Sequence, residues 1–304
     1  MYEACAYRTE ESYFQIRAGS DKEDARSTKD ILGKQAIIFY RTIIQYFPSL
    51  KVTNTEPFAL LQDVFIGENK VTNPTYQQMF NWVIDKRDYP PEAGTNIEKQ
   101  ESLRYQVMEK FAERRIQWEA PFRVTAANGR RVDLTLDLRT FYGREDGTDE
   151  IRQAARNRYL EAFWYGDIFI YSGHSHFGNG PLEPSLYTPE NFPARYQIAF
   201  INSCLSFNYY NRDFLTKKAR GELDMVVNGM PSYVSTAGFT TAQFLISLLD
   251  KTPKSYKQIL QDMTFDFSWR NNAYEPMRVV DGETDNIYNP NSFPLTLEWS
   301  GPSF

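Results

Sequence analysis

One cysteine and two histidines carry the chemistry that this sequence can offer. The only two histidines in the chain stand two residues apart in Gly173-His174-Ser175-His176, and Cys204 follows thirty residues after the first of them. A thiolate is a strong nucleophile, and acyl transfer from a peptide further requires a proton for the leaving amine and hydrogen-bond donors for the oxyanion. Cys204 and one imidazole supply the first two. By itself a cysteine at a strand end reads as a small buried hydrophobe. What distinguishes Cys204 is that both imidazoles fall in the turn where a partner for it would stand.

The elements that must position these residues are visible as apolar runs. Ile168-Phe169-Ile170-Tyr171 ends in Ser172-Gly173-His174, Ile198-Ala199-Phe200-Ile201 ends in Asn202-Ser203-Cys204, and Met225-Val226-Val227 ends in Asn228-Gly229. Helices are predicted between and after them, at about 205–220, 240–250 and 254–263. Continuous apolar runs that alternate with helices predict parallel strands covered on both faces, an α/β architecture. Ligands in such sheets collect beyond the carboxyl ends of the strands, so His174 and Cys204 are expected at one edge.

Further upstream, Phe122 to Thr125 and Val132 to Leu138 alternate around Asn128-Gly129, which predicts a hairpin. A helix over about 148–163 follows, with Ile151, Ala155, Tyr159 and Phe163 on one side. Residues 1 to 27 are polar and charged, and a helix is expected from Ser27 or Thr28 to just before Pro48. Its expected apolar face is Ile31, Leu32, Ala36, Ile38, Phe39, Ile43 and Tyr46. Two more helices are predicted over 76–86 and 97–117. The chain thus divides into a mainly helical accessory region, 1–118, to which no chemistry is assigned, and a catalytic region, 119–304. Leu295 to Trp299 reads as a final strand.

Composition narrows the function classes. Hydrophobic residues make up 41% of 304, enough for a substantial core. Lys plus Arg is 34 against 39 for Asp plus Glu, a net charge of −5 with both signs scattered, which argues against nucleic acid as a partner. Two cysteines, Cys5 and Cys204, are neither a disulfide framework nor a zinc signature. No apolar run approaches membrane-span length and no leader is evident, so the chain reads as soluble.

Tyr171-Ser172-Gly173-His174 followed by Asn202-Ser203-Cys204-Leu205-Ser206 resembles the histidine and cysteine blocks of the caspase-fold cysteine peptidases, which include caspases, metacaspases, clostripain and gingipains. The resemblance covers about residues 130 to 265. It implies a caspase-like three-layer sandwich with a mostly parallel sheet, preceded here by the helical amino-terminal region. It also implies hydrolysis of a protein or peptide substrate without cofactor or metal. In that reading Cys204 attacks the carbonyl, His174 protonates the departing amine, and the backbone amides of Ser175 and Cys204 hold the oxyanion. His176 is the alternative base should the turn be arranged differently. Asn202, Ser232 and Tyr233 are the candidate lining of the substrate pocket. Two positions depart from the family pattern: Ser175 and Phe207 stand where glycine is usual, and a turn requiring positive φ would strain a serine.

Two other readings compete. Gly-His-x-His also resembles the turn of binuclear metallophosphoesterases, in which His174 and His176 would bind metal, but no third histidine completes such a site. A caspase-like module without activity, binding partners through its helical part, is the other. No Gly-x-Ser-x-Gly elbow is present to support a serine hydrolase.

Overall fold

From the amino terminus, the elements are β1 (Tyr2–Arg8), α1 (Ile31–Tyr46), β2 (Lys51–Val52), β3 (Phe65–Ile66), β4 (Asn69–Lys70), β5 (Arg115–Ala126), β6 (Arg131–Gly143), α2 (Asp149–Tyr165), β7 (Ile168–Ser172), β8 (Gln197–Asn202), α3 (Arg212–Leu215), β9 (Leu223–Asn228), α4 (Ala237–Leu248), α5 (Tyr256–Ser268), β10 (Arg278–Asp281) and β11 (Leu295–Trp299). They come from a computed structural model that describes residues 2–8, 31–54, 65–66, 69–70, 115–126, 128–143, 149–173, 175, 182–219, 221–232, 236–268, 278–282 and 295–299. The architecture is mixed α/β.

One sheet runs β10-β9-β8-β7-β1-β6-β5-β11, with β2 added against β5. β6, β1, β7, β8 and β9 are mutually parallel, while β10, β5, β11 and β2 pair antiparallel with their neighbours. The three apolar runs form β7, β8 and β9 side by side, as their pattern predicts. Because side chains alternate along a strand, each run feeds two cores. Ile168, Ile170, Phe200 and Val226 pack with α1, α4 and α5 on one face. Phe169, Tyr171, Ala199, Ile201, Met225 and Val227 pack with α2 and α3 on the other. That is why these runs lack polar alternation: neither face meets water.

The hairpin is longer than its alternating segments suggest. Gly129 takes φ 77° at its tip, where the Gly129 amide donates to the Ala126 carbonyl at 2.8 Å and the Arg130 amide donates to Asn128 Oδ1 at 3.0 Å. A left-handed residue is what glycine permits without a Cβ clash. Below the tip, buried Trp118 donates its indole N–H to Thr140 Oγ1 across the strands at 3.1 Å. Arg139 joins β6 to α2, pairing with Glu161 at 2.7 Å and with Asp137 at 3.1 Å.

Several expectations change. β1, within a stretch read as polar and without strands, lies at the centre of the sheet between β6 and β7. Arg115 to Gln117, expected to end a helix, begin β5 instead, so that strand runs through the boundary drawn at residue 118. The helix expected over 76–86 lies outside the described residues. α1 stops before Pro48 as expected; among its described side chains Phe39, Tyr40 and Ile43 are buried, continued by Phe47, whereas Ile38 and Tyr46 are exposed, and the side chains of Ile31, Leu32 and Ala36 lie outside the description. The four-residue step 39, 43, 47 sets the buried face. β10 had no counterpart in the sequence reading. Among the described residues no helix is long and apolar enough to cross a membrane.

The start of β8 is anchored by a buried amine. Lys218 Nζ donates to the carbonyls of Pro193 and Arg195 at 3.1 and 2.7 Å and to Gln197 Oε1 at 2.7 Å. Burial, with Arg195 nearby, pushes this amine down to about 8. Lys218→Met would leave three oxygens without their donor, and is expected to cost about 2–3 kcal/mol in urea denaturation near pH 7. The unfolded chain holds the proton up to the ordinary lysine range, about 10.4, and the folded chain releases it near 8. The wild-type protein therefore gains stability relative to the Met variant as pH rises through that window. A gap that narrows instead would contradict the assignment.

Candidate active site

β7 and β8 are parallel neighbours with Ser172 opposite Asn202, so the chain leaves both strands at the same edge of the sheet. Two short connections join the departing segments. The Gly173 amide donates to the Asn202 carbonyl at 3.2 Å, and Ser175 Oγ donates to the Cys204 carbonyl. The residues immediately before and after position 174 are thus each bonded to the cysteine turn. His174, His176 and Tyr233 themselves lie outside the described residues.

Cys204 is a free thiol, partly exposed, two residues beyond the end of β8. Its Sγ lies 3.7 Å from the Ser232 carbonyl, to which the thiol donates, and 3.8 Å from Ser232 Oγ. Ser232, proposed from sequence as pocket lining, therefore sits beside the sulfur. Asn202 is buried, and it faces a polar layer beneath the turn. Its Oδ1 accepts from Asn228 Nδ2 at 3.0 Å and its Nδ2 donates to Ser172 Oγ at 3.5 Å.

The turn that carries Cys204 is tight. The Ser203 amide donates back to the Ile201 carbonyl at 3.1 Å, and the Leu205 amide donates to the Met230 carbonyl at 3.1 Å. Leu205 adopts φ 51°, the only positive φ at a non-glycine among the described residues. A branched side chain in that region costs about 1–2 kcal/mol. The left-handed residue therefore lies on the cysteine turn, directly after Cys204. From Ser206 the chain coils through a π-helical turn, Phe207–Asn211, into α3. Phe207 points outward at 38% exposure.

Ser206 holds the turn from below: its Oγ donates to the Ile201 carbonyl at 2.7 Å and accepts from the Asn228 amide at 2.8 Å. The sequence did not single out Asn228 or Leu205. Asn228 was visible only as a polar residue ending an apolar run, and nothing in the residue type marks Leu205 for a left-handed turn.

No family model, curated protein or solved structure matches this chain.

Ser206→Ala would strand the buried Asn228 amide and leave the Ile201 carbonyl with the Ser203 amide as its remaining turn donor, and is expected to lower stability by about 2 kcal/mol. Ser175→Ala removes one hydrogen bond at a part-buried position and should cost about 1 kcal/mol. Chemical denaturation of the two variants checks the order. Equal losses would show that the polar layer beneath the turn is not the stronger brace.

Proposed function

We propose that the chain is a cysteine endopeptidase with a caspase-like sandwich, in which Cys204 is the nucleophile and His174 the general acid and base. One observation carries this reading: Gly173 and Ser175, on either side of His174, are hydrogen-bonded to the Asn202 and Cys204 carbonyls at one edge of a parallel sheet. The motif resemblance adds order and spacing, and the sheet covered on both faces agrees with the proposed sandwich. Tyr2–Arg8 supplies a strand inside that sheet, so in this reading the peptidase unit takes in that strand as well as residues 119–304.

In the proposed reaction the Cys204 proton passes to His174 and the sulfur attacks the peptide carbonyl carbon. The resulting oxyanion is held by backbone amides of Ser175 and Cys204. Collapse of the tetrahedral intermediate breaks the C–N bond, His174 returns the proton to the leaving amine, and a thioester remains. Water, deprotonated by His174, hydrolyses the thioester and regenerates the thiol. Ser232, beside Sγ, would border the bound substrate together with Tyr233, while Asn202, buried beneath the turn, would support the pocket from below. His176 is the alternative base.

The test is hydrolysis of a mixed peptide library. Cys204→Ala is expected to abolish cleavage with an unchanged circular dichroism spectrum, and His174→Ala to reduce it by about a hundredfold or more. Alkylation of the thiol should abolish activity and a chelator should not. Full activity in the cysteine variant would end the proposal, and loss to chelation alone would favour metal held by His174 and His176.

A further inference from the structure

We propose that Asn228 is a positioning residue that sets the direction of the Cys204 sulfur; its use in catalysis rests on the peptidase reading. Asn228 is the last residue of β9 and is fully buried. Its Nδ2 donates to Asn202 Oδ1 at 3.0 Å and to the Ser203 carbonyl at 3.1 Å, and its backbone amide donates to Ser206 Oγ at 2.8 Å. One residue therefore holds positions 202, 203 and 206, on both sides of Cys204. The Ser203 carbonyl belongs to the peptide unit that leads directly into Cys204. Fixing its rotation fixes the backbone from which the sulfur projects.

A second observation separates this role from packing. Asn228 Oδ1 is buried with no hydrogen-bond partner among the described residues, as is Ser203 Oγ. An orphaned buried acceptor is destabilising, so an apolar residue like its neighbours Val226 and Val227 would serve the core better. The amide is accounted for by its donor end. That end offsets the left-handed backbone of Leu205, the residue after Cys204, whose own amide is bound by Met230 two positions beyond Asn228.

Asn228→Asp keeps the shape but replaces the donor with an acceptor, Asn228→Leu keeps the approximate volume without polarity, and Asn228→Ser is the least bulky variant should Leu prevent folding. Each folded variant, judged by near-ultraviolet circular dichroism, is compared with wild type in two measurements. Iodoacetamide labelling across pH is read at Cys204 by peptide mass spectrometry, so that Cys5 does not contribute. Hydrolysis of the best library peptide gives kcat and KM separately. The expected result is a Cys204 labelling profile displaced along pH or changed several-fold in rate, with kcat down by about a hundredfold and KM nearly unchanged, as for a misplaced reacting group. Folded variants with the wild-type labelling profile and kcat would overturn the proposal. If Cys204→Ala retained hydrolysis, the peptidase reading would fall while the labelling measurement still decided the role of Asn228.

Discussion

Parallel pairing of β7 with β8 is the constraint from which the site follows. In an antiparallel pair the two chains would leave at opposite edges, and the turns after Ser172 and Asn202 could not meet. With Ser172 opposite Asn202 they leave together. The same pairing creates a problem at the edge, because the backbone ladder stops there while the strands are still buried on both faces. Amides and carbonyls at that level need partners that the ladder no longer supplies. Side chains take over: Ser206 binds the Ile201 carbonyl and the Asn228 amide, and Asn228 binds the Ser203 carbonyl. The polar layer under Cys204 is thus a continuation of the sheet by other means.

That layer departs from apolar packing at this edge of the sheet, as the Lys218 anchor does at the start of β8. The interior below it is aliphatic and aromatic on both faces of the sheet, with Phe200 against Phe244 on one side and Phe163 among Phe169, Phe192 and Phe214 on the other. These contacts hold the strands without specifying how the chain turns at their ends. Hydrogen bonds do specify it, because each accepts only a narrow range of directions. The division of labour follows from the physics: burial supplies stability and the polar layer supplies geometry.

Legibility in the sequence tracked this division. β7, β8 and β9 were readable because double burial leaves uninterrupted apolar runs, and the β5–β6 hairpin because Asn128-Gly129 marks its tip. The helix after the hairpin was readable from Tyr159 and Phe163, both buried in α2. β1 was not, since Tyr2–Arg8 is bounded by charge and has only alanine, cysteine and tyrosine as candidates for burial; its place depends on pairing with β6 and β7, which local pattern does not encode. In the candidate site, Cys204 and Ser232 were legible from residue type and strand position. Asn228 was not, because its significance lies in three hydrogen bonds to residues more than twenty positions earlier.

The two turns are tied by different means. In the cysteine turn Leu205 is left-handed, and there the amides of Leu205 and Asn208 and the bonds of Ser206 over-determine the backbone. Strain persists where surrounding bonds leave no alternative conformation, and a turn crossed by so many of them meets that condition. Across from it, position 175 carries a hydroxyl, and the hydroxyl bonds to the carbonyl of Cys204. A glycine there would have no side chain to make this link. The serine at position 175 therefore adds a direct tie between the two turns that leave the paired strands β7 and β8.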